Sequence, residues 1–243
     1  IDMDGDKEVF ILTSQKIYGF TANVEKVFEA RNLRNDDCIY VGNLTSPNYS
    51  IIITWRYGTP NVTYYNYTGI CVKNATLGTD LGIIQIVHEG SWIYGLDEDS
   101  RHIYIWKLEY DSATDLGLGA CSHMVSINNS VYTISSSILG SYLYRIRNGG
   151  ACYDWKILGA SNWNFFVGSN KELLAYDVDC DGDLEFLMHN GSFVSVIDPE
   201  WSGSSALQHN MTLTFDNISM VPNYVVTLYH NRVKFYTADL SYV

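Results

Sequence analysis

Short apolar segments separated by turn residues recur along the whole chain. They are rich in Val, Ile, Tyr, Phe and Trp, which favour strands, and no long segment shows the 3.6-residue periodicity of an amphipathic helix. The pattern therefore predicts an all-β protein. The clearest predicted strands cover residues 8–13, 16–21, 38–42, 50–57, 82–88, 92–96, 102–109, 142–147, 184–189, 193–197, 224–229 and 232–237.

The predicted strands repeat at a rough period. Hairpin turns fall near residues 15, 46, 90, 129, 191 and 231, and most of the gaps between them are about 40 residues, the length of a four-stranded propeller blade. The segment KIYGF at 16–20 is similar to WIYGL at 92–96, each as the second strand of a hairpin. We therefore expect one β-propeller domain of about six four-stranded blades over residues 1–243. A two-sheet β-sandwich is the alternative.

Composition narrows the class of protein. The 243 residues carry 15 Lys and Arg against 27 Asp and Glu, a net charge of −12, so a general nucleic-acid binder is excluded. Hydrophobic residues reach 47%, enough for a large core, and no apolar stretch is long enough to span a bilayer. Charged residues are only 17%, below the roughly 25% of an average soluble protein. Another group must keep the surface hydrated.

Sequons for N-glycosylation are enriched. Nine asparagines begin an Asn-x-Ser/Thr triplet, whereas the composition gives about three by chance. Glycans on these sites would supply the missing polarity and would place the protein outside the cell, secreted or at the cell surface. The alternative is that Asn, Ser and Thr simply crowd into turns. The nine are Asn43, Asn48, Asn61, Asn66, Asn74, Asn128, Asn190, Asn210 and Asn217.

The cysteines agree with an extracellular location without proving it. There are five, with no Cys-x-x-Cys pair, so a zinc knuckle or a thioredoxin-like motif is excluded. Similar spacings favour disulfides between Cys38 and Cys71 and between Cys121 and Cys152, leaving Cys180 unpaired. The alternative is five reduced, buried thiols.

The segment 177–185 (DVDCDGDLE) carries the clearest chemistry. Carboxylates at positions 1, 3, 5 and 9, a backbone carbonyl at position 7 and a glycine at position 6 for the turn can surround one hard cation, and this flexible oxygen set suits Ca²⁺ better than Mg²⁺. An EF-hand is excluded because its twelfth position, a glutamate, is Met188 here. The candidate ligands are Asp177, Asp179, Asp181, Asp183 and Glu185.

A second copy of the motif opens the chain. Residues 2–8 (DMDGDKE) match 179–185 at every acidic position and at the glycine, and both copies lead into an apolar strand. The counterpart of Asp177 would precede Ile1, so we expect the sequence to begin inside a metal loop of a longer chain. An ordinary acidic turn between strands is the alternative. The candidate ligands are Asp2, Asp4, Asp6 and Glu8.

These two loops resemble the FG-GAP and VCBS-type repeats of integrin-α-like β-propellers, whose acidic loops hold calcium between strands of a blade. The resemblance implies side-chain ligands at Asp177, Asp179, Asp181 and Glu185 and a carbonyl ligand at Asp183, with Asp2, Asp4, Asp6 and Glu8 in the same roles. It covers two stretches of about twenty residues each. One departure is Cys180, which stands where these loops have glycine.

Signatures of catalysis are weak. None of the six histidines lies in a His-Glu-x-x-His motif, and no Gly-x-Ser-x-Gly elbow occurs. Asp97, Glu98 and Asp99 could supply a carboxyl pair for glycoside chemistry, although a solvated hairpin turn explains these three acidic residues better. Segments 64–67 and 163–166 are aromatic and suit a sugar platform or an interface, but also ordinary packing.

The sequence thus favours a non-enzymatic role. We expect an extracellular, calcium-stabilised, N-glycosylated β-propeller that acts in adhesion, binding or assembly of a surface structure, with a protein or glycan partner or with itself. The alternatives are a secreted carbohydrate-active enzyme, a glycosidase or lyase on a propeller scaffold, and a self-polymerising subunit of an extracellular filament or surface layer.

Overall fold

The computed structural model describes residues 8–21, 23–45, 48–118, 120–137, 140–158, 173–180, 184–189, 193–198 and 207–243. Within these ranges the chain forms twenty-two β-strands and no helix, which confirms the all-β prediction. The strands form six small antiparallel sheets, each built from strands consecutive in sequence. This arrangement differs from the two large sheets of a β-sandwich. None of the described residues belongs to a helix long and apolar enough to cross a membrane.

The chain divides into two compact units. The first comprises Ile1–Gly117 with Arg147–Cys152, and the second comprises Leu118–Ile146 with Tyr153–Val243. The first unit contains sheet 1, with β1 (Val9–Leu12), β2 (Lys16–Phe20) and β3 (Lys26–Arg31). It contains sheet 2, with β4 (Cys38–Thr45), β5 (Asn48–Trp55), β6 (Asn61–Asn66) and β7 (Cys71–Thr76). Sheet 3 has β8 (Ile83–Glu89), β9 (Trp92–Asp97), β10 (Ile103–Lys107) and β11 (Thr114–Asp115).

The other three sheets belong chiefly to the second unit. Sheet 4 has β12 (Ala120–Ile127), β13 (Ser130–Ser137), β14 (Gly140–Arg147) and β15 (Cys152–Leu158), and its turn at 147–152 groups with the first unit. Sheet 5 has β16 (Leu173–Tyr176), β17 (Glu185–His189), β18 (Phe193–Asp198) and β19 (Leu207–Thr212). Sheet 6 has β20 (Asn217–Val221), β21 (Tyr224–Tyr229) and β22 (Arg232–Tyr236).

Within each unit, neighbouring sheets pack face to face. One core joins sheets 1 and 2 through residues such as Ile17 and Tyr65, and a second joins sheets 2 and 3 through Tyr64 and Trp106. In the second unit, Tyr132 and Phe186 pack between sheets 4 and 5. Another core joins sheets 5 and 6. Within each unit, consecutive sheets therefore bury apolar side chains against each other.

The similar segments KIYGF and WIYGL have a shared physical basis. Each forms the second strand of its hairpin, β2 and β9, and each places its glycine beneath aromatic rings of a neighbouring strand. A Cβ at Gly19 would lie 2.8 Å from the ring of Phe10 and from the Cβ of Phe28, and a Cβ at Gly95 would lie 2.8 Å from the ring of Trp106. Only glycine allows an aromatic ring to cross the strand so closely.

The expected disulfide between Cys38 and Cys71 is wrong for this structure, because both residues are reduced thiols. Cys38 lies on β4 and Cys71 on β7, the two outer strands of sheet 2. Three strand spacings separate these strands, about 14 Å, whereas a disulfide needs Cα atoms within about 7 Å. Cys121 is also reduced and buried on β12, while the side chain of Cys152 lies outside the described part.

Candidate metal centre

The loop that follows β16 brings three carboxylates together. Strands β16 and β17 pair so that Tyr176 lies opposite Glu185, which places Asp177 beside the start of β17. One carboxylate oxygen from each of Asp177, Asp179 and Glu185 lies within 4.8 Å of the others. The structure thus assembles three of the predicted ligands from positions eight residues apart or fewer. We call this set the acidic triad.

The loop is anchored through its second residue. Val178 is fully buried in the core between sheets 5 and 6, and its amide donates a 2.6 Å hydrogen bond to Glu185 Oε2. Its carbonyl accepts a 2.7 Å hydrogen bond from the amide of Asn223, at the turn between β20 and β21. Because both the amide and the carbonyl of Val178 are hydrogen-bonded, its two neighbours in the chain, Asp177 and Asp179, are held near Glu185.

Cys180 stands at the loop position where the resembling repeats have glycine, and it adopts a backbone conformation typical of glycine. Its φ is +63°, in the left-handed region where glycine is preferred, and its side chain is exposed. The loop therefore keeps the backbone conformation that glycine would provide, at a cost of about 1 kcal/mol. Its Sγ lies 3.8 Å from Asn223 Oδ1.

The electrostatics of the triad suit a cation. Glu185 is only 2% exposed, and this burial raises the pKa of its carboxyl to about 7, with the nearby Asp179 charge acting in the same direction. The hydrogen bond from the Val178 amide acts against this shift. A divalent cation among the three groups would offset their repulsion and favour the charged form of Glu185. The donors are all hard oxygens, which fit Ca²⁺ or Mg²⁺ rather than a soft metal.

Several predicted ligands fall outside the described residues. These are Asp181 and Asp183 of the main loop, and Asp2, Asp4 and Asp6 of the first copy. Glu8 is described and lies half-buried just before β1. Glu8 directly precedes β1 and Glu185 begins β17, so both glutamates stand at the start of a strand.

The sequon asparagines whose side chains are described all reach solvent. Asn43, Asn74, Asn128 and Asn217 are exposed, and Asn61 and Asn66 are half-buried. The side chains of the other three sequon asparagines, Asn48, Asn190 and Asn210, lie outside the described part. Asn66 forms an Asx turn in its own sequon, since its Oδ1 accepts hydrogen bonds from the Thr68 amide and hydroxyl. The four exposed asparagines are therefore open to solvent on the folded chain.

The carboxyl pair considered for glycoside chemistry is not built as a catalytic pair. Asp97 is 3% exposed, and its two oxygens accept hydrogen bonds from the amide of Gly82 and from the amide and hydroxyl of Ser100. Asp99 is exposed at the tip of the same turn. Asp97 therefore holds the turn between β9 and β10 and caps the start of β8.

A buried carboxylate that the sequence did not single out is Glu89, at the end of β8. Its Oε1 accepts the amide of Asn148 at 3.0 Å, and its Oε2 accepts the amide of Gly149 at 3.0 Å and the hydroxyl of Tyr94 at 3.1 Å. All four residues belong to the first unit. No local sequence pattern predicts these hydrogen bonds, because Asn148 lies 59 residues after Glu89 in the chain.

Comparison with known proteins identifies the fold. No protein-family model and no curated protein matches the sequence. The structure is similar to virginiamycin B lyase from Staphylococcus aureus, with a TM-score of 0.63 and 12% identity over 99% of this chain and 80% of that chain. It is similar to the dihydro-heme d1 dehydrogenase NirN, with a TM-score of 0.61 and 12% identity over 95% of this chain and 51% of that chain.

A streptogramin B lyase is also similar, with a TM-score of 0.55 and 16% identity over 99% of this chain and 79% of that chain. The similar structures are β-propeller proteins, which agrees with six small antiparallel sheets in sequence order. At these identities the similarity concerns the fold alone, and it carries no activity over to this chain.

Proposed function

We propose that this chain is an extracellular, calcium-stabilised, N-glycosylated β-propeller that acts by binding or assembly at a surface. The six sheets would be its blades. The observation that carries the proposal is the acidic triad, because a cation bound among three carboxylate oxygens that lie within 4.8 Å of one another would offset their mutual repulsion. The resemblance of this loop to FG-GAP and VCBS-type repeats supports the same assignment.

The residues present fit calcium. Asp177, Asp179 and Glu185 would supply side-chain oxygens, and Asp181 and the carbonyl of Asp183 would complete the set. The ion would tie the start of β17 to the loop after β16, so its role is structural. Binding to the folded state alone would raise stability by about 2.7 kcal/mol at a hundredfold excess over the dissociation constant.

Calorimetric titration of the protein, stripped with EDTA, with CaCl₂ tests this role. We expect binding near one or two ions per chain, a lower melting temperature in EDTA and a weaker response to MgCl₂. A melting temperature that is identical in EDTA and in calcium would rule out structural calcium.

The extracellular part of the proposal rests on the nine sequons and on the solvent access of the six sequon asparagines whose side chains are described. The protein is expressed in a secreting eukaryotic host and then treated with a glycosidase that removes N-glycans. This treatment should lower the mass of the protein by the mass of several glycans. Peptide mapping would show which asparagines were modified. A secreted chain with no change in mass would contradict glycosylation while leaving the calcium site untouched.

Two alternatives make different predictions. A carbohydrate-active lyase or glycosidase on this scaffold would release oligosaccharides from a polysaccharide. Two of the similar structures, virginiamycin B lyase and streptogramin B lyase, are themselves lyases. The hydrogen bonds of Asp97 argue against the carboxyl pair at 97 and 99 as its catalytic groups. A filament or surface-layer subunit would sediment as polymers once calcium is added. The binding role predicts neither result.

A further inference from the structure

A cavity of about 450 Å³ lies beside the acidic triad in the second unit. Its walls are mainly apolar and include Ile127, Ala175, Leu184 and Pro222. Tyr176 and Asp177 also belong to its lining. The volume is in the range of small-molecule pockets in proteins, about 300–1,000 Å³.

The position of this pocket in the fold favours ligand binding. Ile127 ends β12, Tyr176 ends β16, and Pro222 follows β20, so three first strands of successive sheets end at the pocket. These strands contact one another, β12 with β16 and β16 with β20. A site between several elements, held by rigid strands, is where proteins commonly place a ligand.

The charges around the pocket select the ligand. Among the described residues that line the pocket there is no Lys, Arg or His, and Asp177 belongs both to the lining and to the acidic triad. Tyr176 is 38% exposed, so a ligand can reach its ring. A carboxylate recognises an organic cation through an ion pair, and an aromatic ring recognises it through a cation–π contact; the lining holds one residue of each kind, Asp177 and Tyr176.

We propose that this pocket binds a small organic ammonium ion that carries an apolar group of about six to ten heavy atoms. The ammonium lies against Asp177 and Tyr176, and the apolar group fills the space between Ile127, Ala175, Leu184 and Pro222. An anionic ligand is disfavoured by the triad. A sugar is disfavoured because the aliphatic walls offer few partners for its hydroxyl groups.

This inference goes beyond the proposed calcium role and does not depend on it. Because Asp177 is shared, an ammonium ion in the pocket and a calcium ion in the triad compete for the same carboxylate. Excess calcium would therefore take the charged partner of the ammonium, and EDTA would remove this competition.

The test measures binding of benzyltrimethylammonium to the full chain in EDTA by calorimetry and saturation-transfer NMR. Tetramethylammonium, which lacks the apolar group, and 3-phenylpropanoate, which has the opposite charge, serve as matched probes. We expect both to bind at least about tenfold more weakly than benzyltrimethylammonium. Equal binding of 3-phenylpropanoate would overturn the proposal.

Two variants locate the site. Asp177→Asn should weaken benzyltrimethylammonium binding about five- to tenfold, and Tyr176→Leu about three- to fivefold. Tyr176→Leu changes a side chain that is partly exposed, so it keeps the test valid if Asp177→Asn folds poorly. Asp216→Asn and Tyr110→Leu alter exposed residues outside the pocket and should leave binding unchanged. Unchanged binding in both pocket variants would overturn the proposal.

A calcium titration separates this inference from the calcium proposal. Displacement of benzyltrimethylammonium by CaCl₂ supports both. Binding of the ammonium in EDTA with no heat from calcium supports the pocket and contradicts the calcium role. Calcium binding that leaves the affinity for the ammonium unchanged contradicts a shared Asp177 and overturns the pocket as described.

Discussion

The amide of Val178 donates a 2.6 Å hydrogen bond to Glu185 Oε2, so the loop after β16 is closed onto the first residue of β17. Both residues are buried, with Val178 at 0% and Glu185 at 2% exposure. The bond fixes one oxygen of a carboxylate that also belongs to the acidic triad. The loop is therefore shaped by its own backbone before any ion binds.

Replacing Glu185 with glutamine should separate the contribution of this residue to folding from its contribution to ion binding. Glu185→Gln keeps an oxygen that can accept the Val178 amide and removes a buried charge next to Asp179. In EDTA we expect a free energy of unfolding equal to that of the wild type or slightly higher. In calcium at a hundredfold excess, the wild type gains about 2.7 kcal/mol and the variant gains less than about 1 kcal/mol. Urea unfolding in both buffers measures the difference.

Glu109→Gln is the matched control, because Glu109 is exposed and lies outside the triad. It should keep the full response to calcium. A Glu185→Gln variant that gains as much stability from calcium as the wild type would show that Glu185 is not a ligand.

Removal of the Glu89 charge should destabilise the first unit. Glu89 is 8% exposed, and its carboxylate accepts hydrogen bonds from two backbone amides and one tyrosine hydroxyl. In Glu89→Gln one of the two acceptor oxygens becomes an NH₂ group, a donor that faces other donors. We expect a loss of about 1–3 kcal/mol in urea unfolding. Amide hydrogen exchange at Asn148 and Gly149 should accelerate.

Glu98→Gln provides the control for Glu89, since Glu98 is exposed in the turn after β9. It should change stability by less than about 0.5 kcal/mol. Equal effects of the two substitutions, or unchanged exchange at Asn148, would mean that the carboxylate does not hold the 147–152 turn.

Local signals explain what the sequence could predict. The hairpin at Asn128 and Asn129 was predictable because asparagine tolerates the positive φ that a tight turn requires. In the structure both residues do adopt positive φ, 49° and 55°. The acidic triad was predictable because its members lie within nine residues and the ligand spacing is set by one loop. Information of this kind is contained in the neighbouring residues.

Contacts between distant segments were not predictable. Similar spacings suggested a disulfide between Cys38 and Cys71, but spacing says nothing about strand order, and the strands between them keep the thiols apart. From the sequence, Glu89 is indistinguishable from an ordinary turn residue. Its hydrogen bonds to the 147–152 turn become evident only in the folded structure. The pocket at Tyr176 likewise depends on how the ends of three strands meet.

Asp97 should make the first unit sensitive to acid. Burial acts to raise the pKa of its carboxyl, but the hydrogen bonds from Ser100 and Gly82 outweigh burial and hold the pKa below the usual 3.8. The folded state thus binds the proton less readily than the unfolded state, so the stabilisation is present above about pH 4 and is lost as the pH falls through the folded pKa. Asp97→Asn should cost about 1.5–3 kcal/mol at pH 7 and flatten this acid limb in urea unfolding.

Asp36 should have the opposite pH dependence. Burial raises the pKa of its carboxyl above 3.8, only partly opposed by the hydroxyl of Thr54, which donates a 2.6 Å hydrogen bond to Oδ2. The folded state binds the proton more tightly than the unfolded state, so stability falls as the pH rises from about 4 through the folded pKa. Asp36→Asn, measured beside Asp97→Asn, should remove this loss and be neutral or stabilising at pH 7. The same sign of effect in both variants at pH 7 would contradict the two assignments.

The four described cysteines should differ in reactivity toward a thiol reagent in the native protein. Cys180 is exposed, whereas Cys121 is fully buried. Burial, with Asp37 beside it, raises the pKa of Cys38 to about 12, so its thiolate is scarce near neutral pH. We expect N-ethylmaleimide to label Cys180 first, then Cys71 and Cys38, and Cys121 only after unfolding. Mass spectrometry of labelled peptides gives the order, and Cys180→Ser should remove the fast phase. A non-reduced peptide that joins residues 38 and 71 would contradict the reduced state of both thiols.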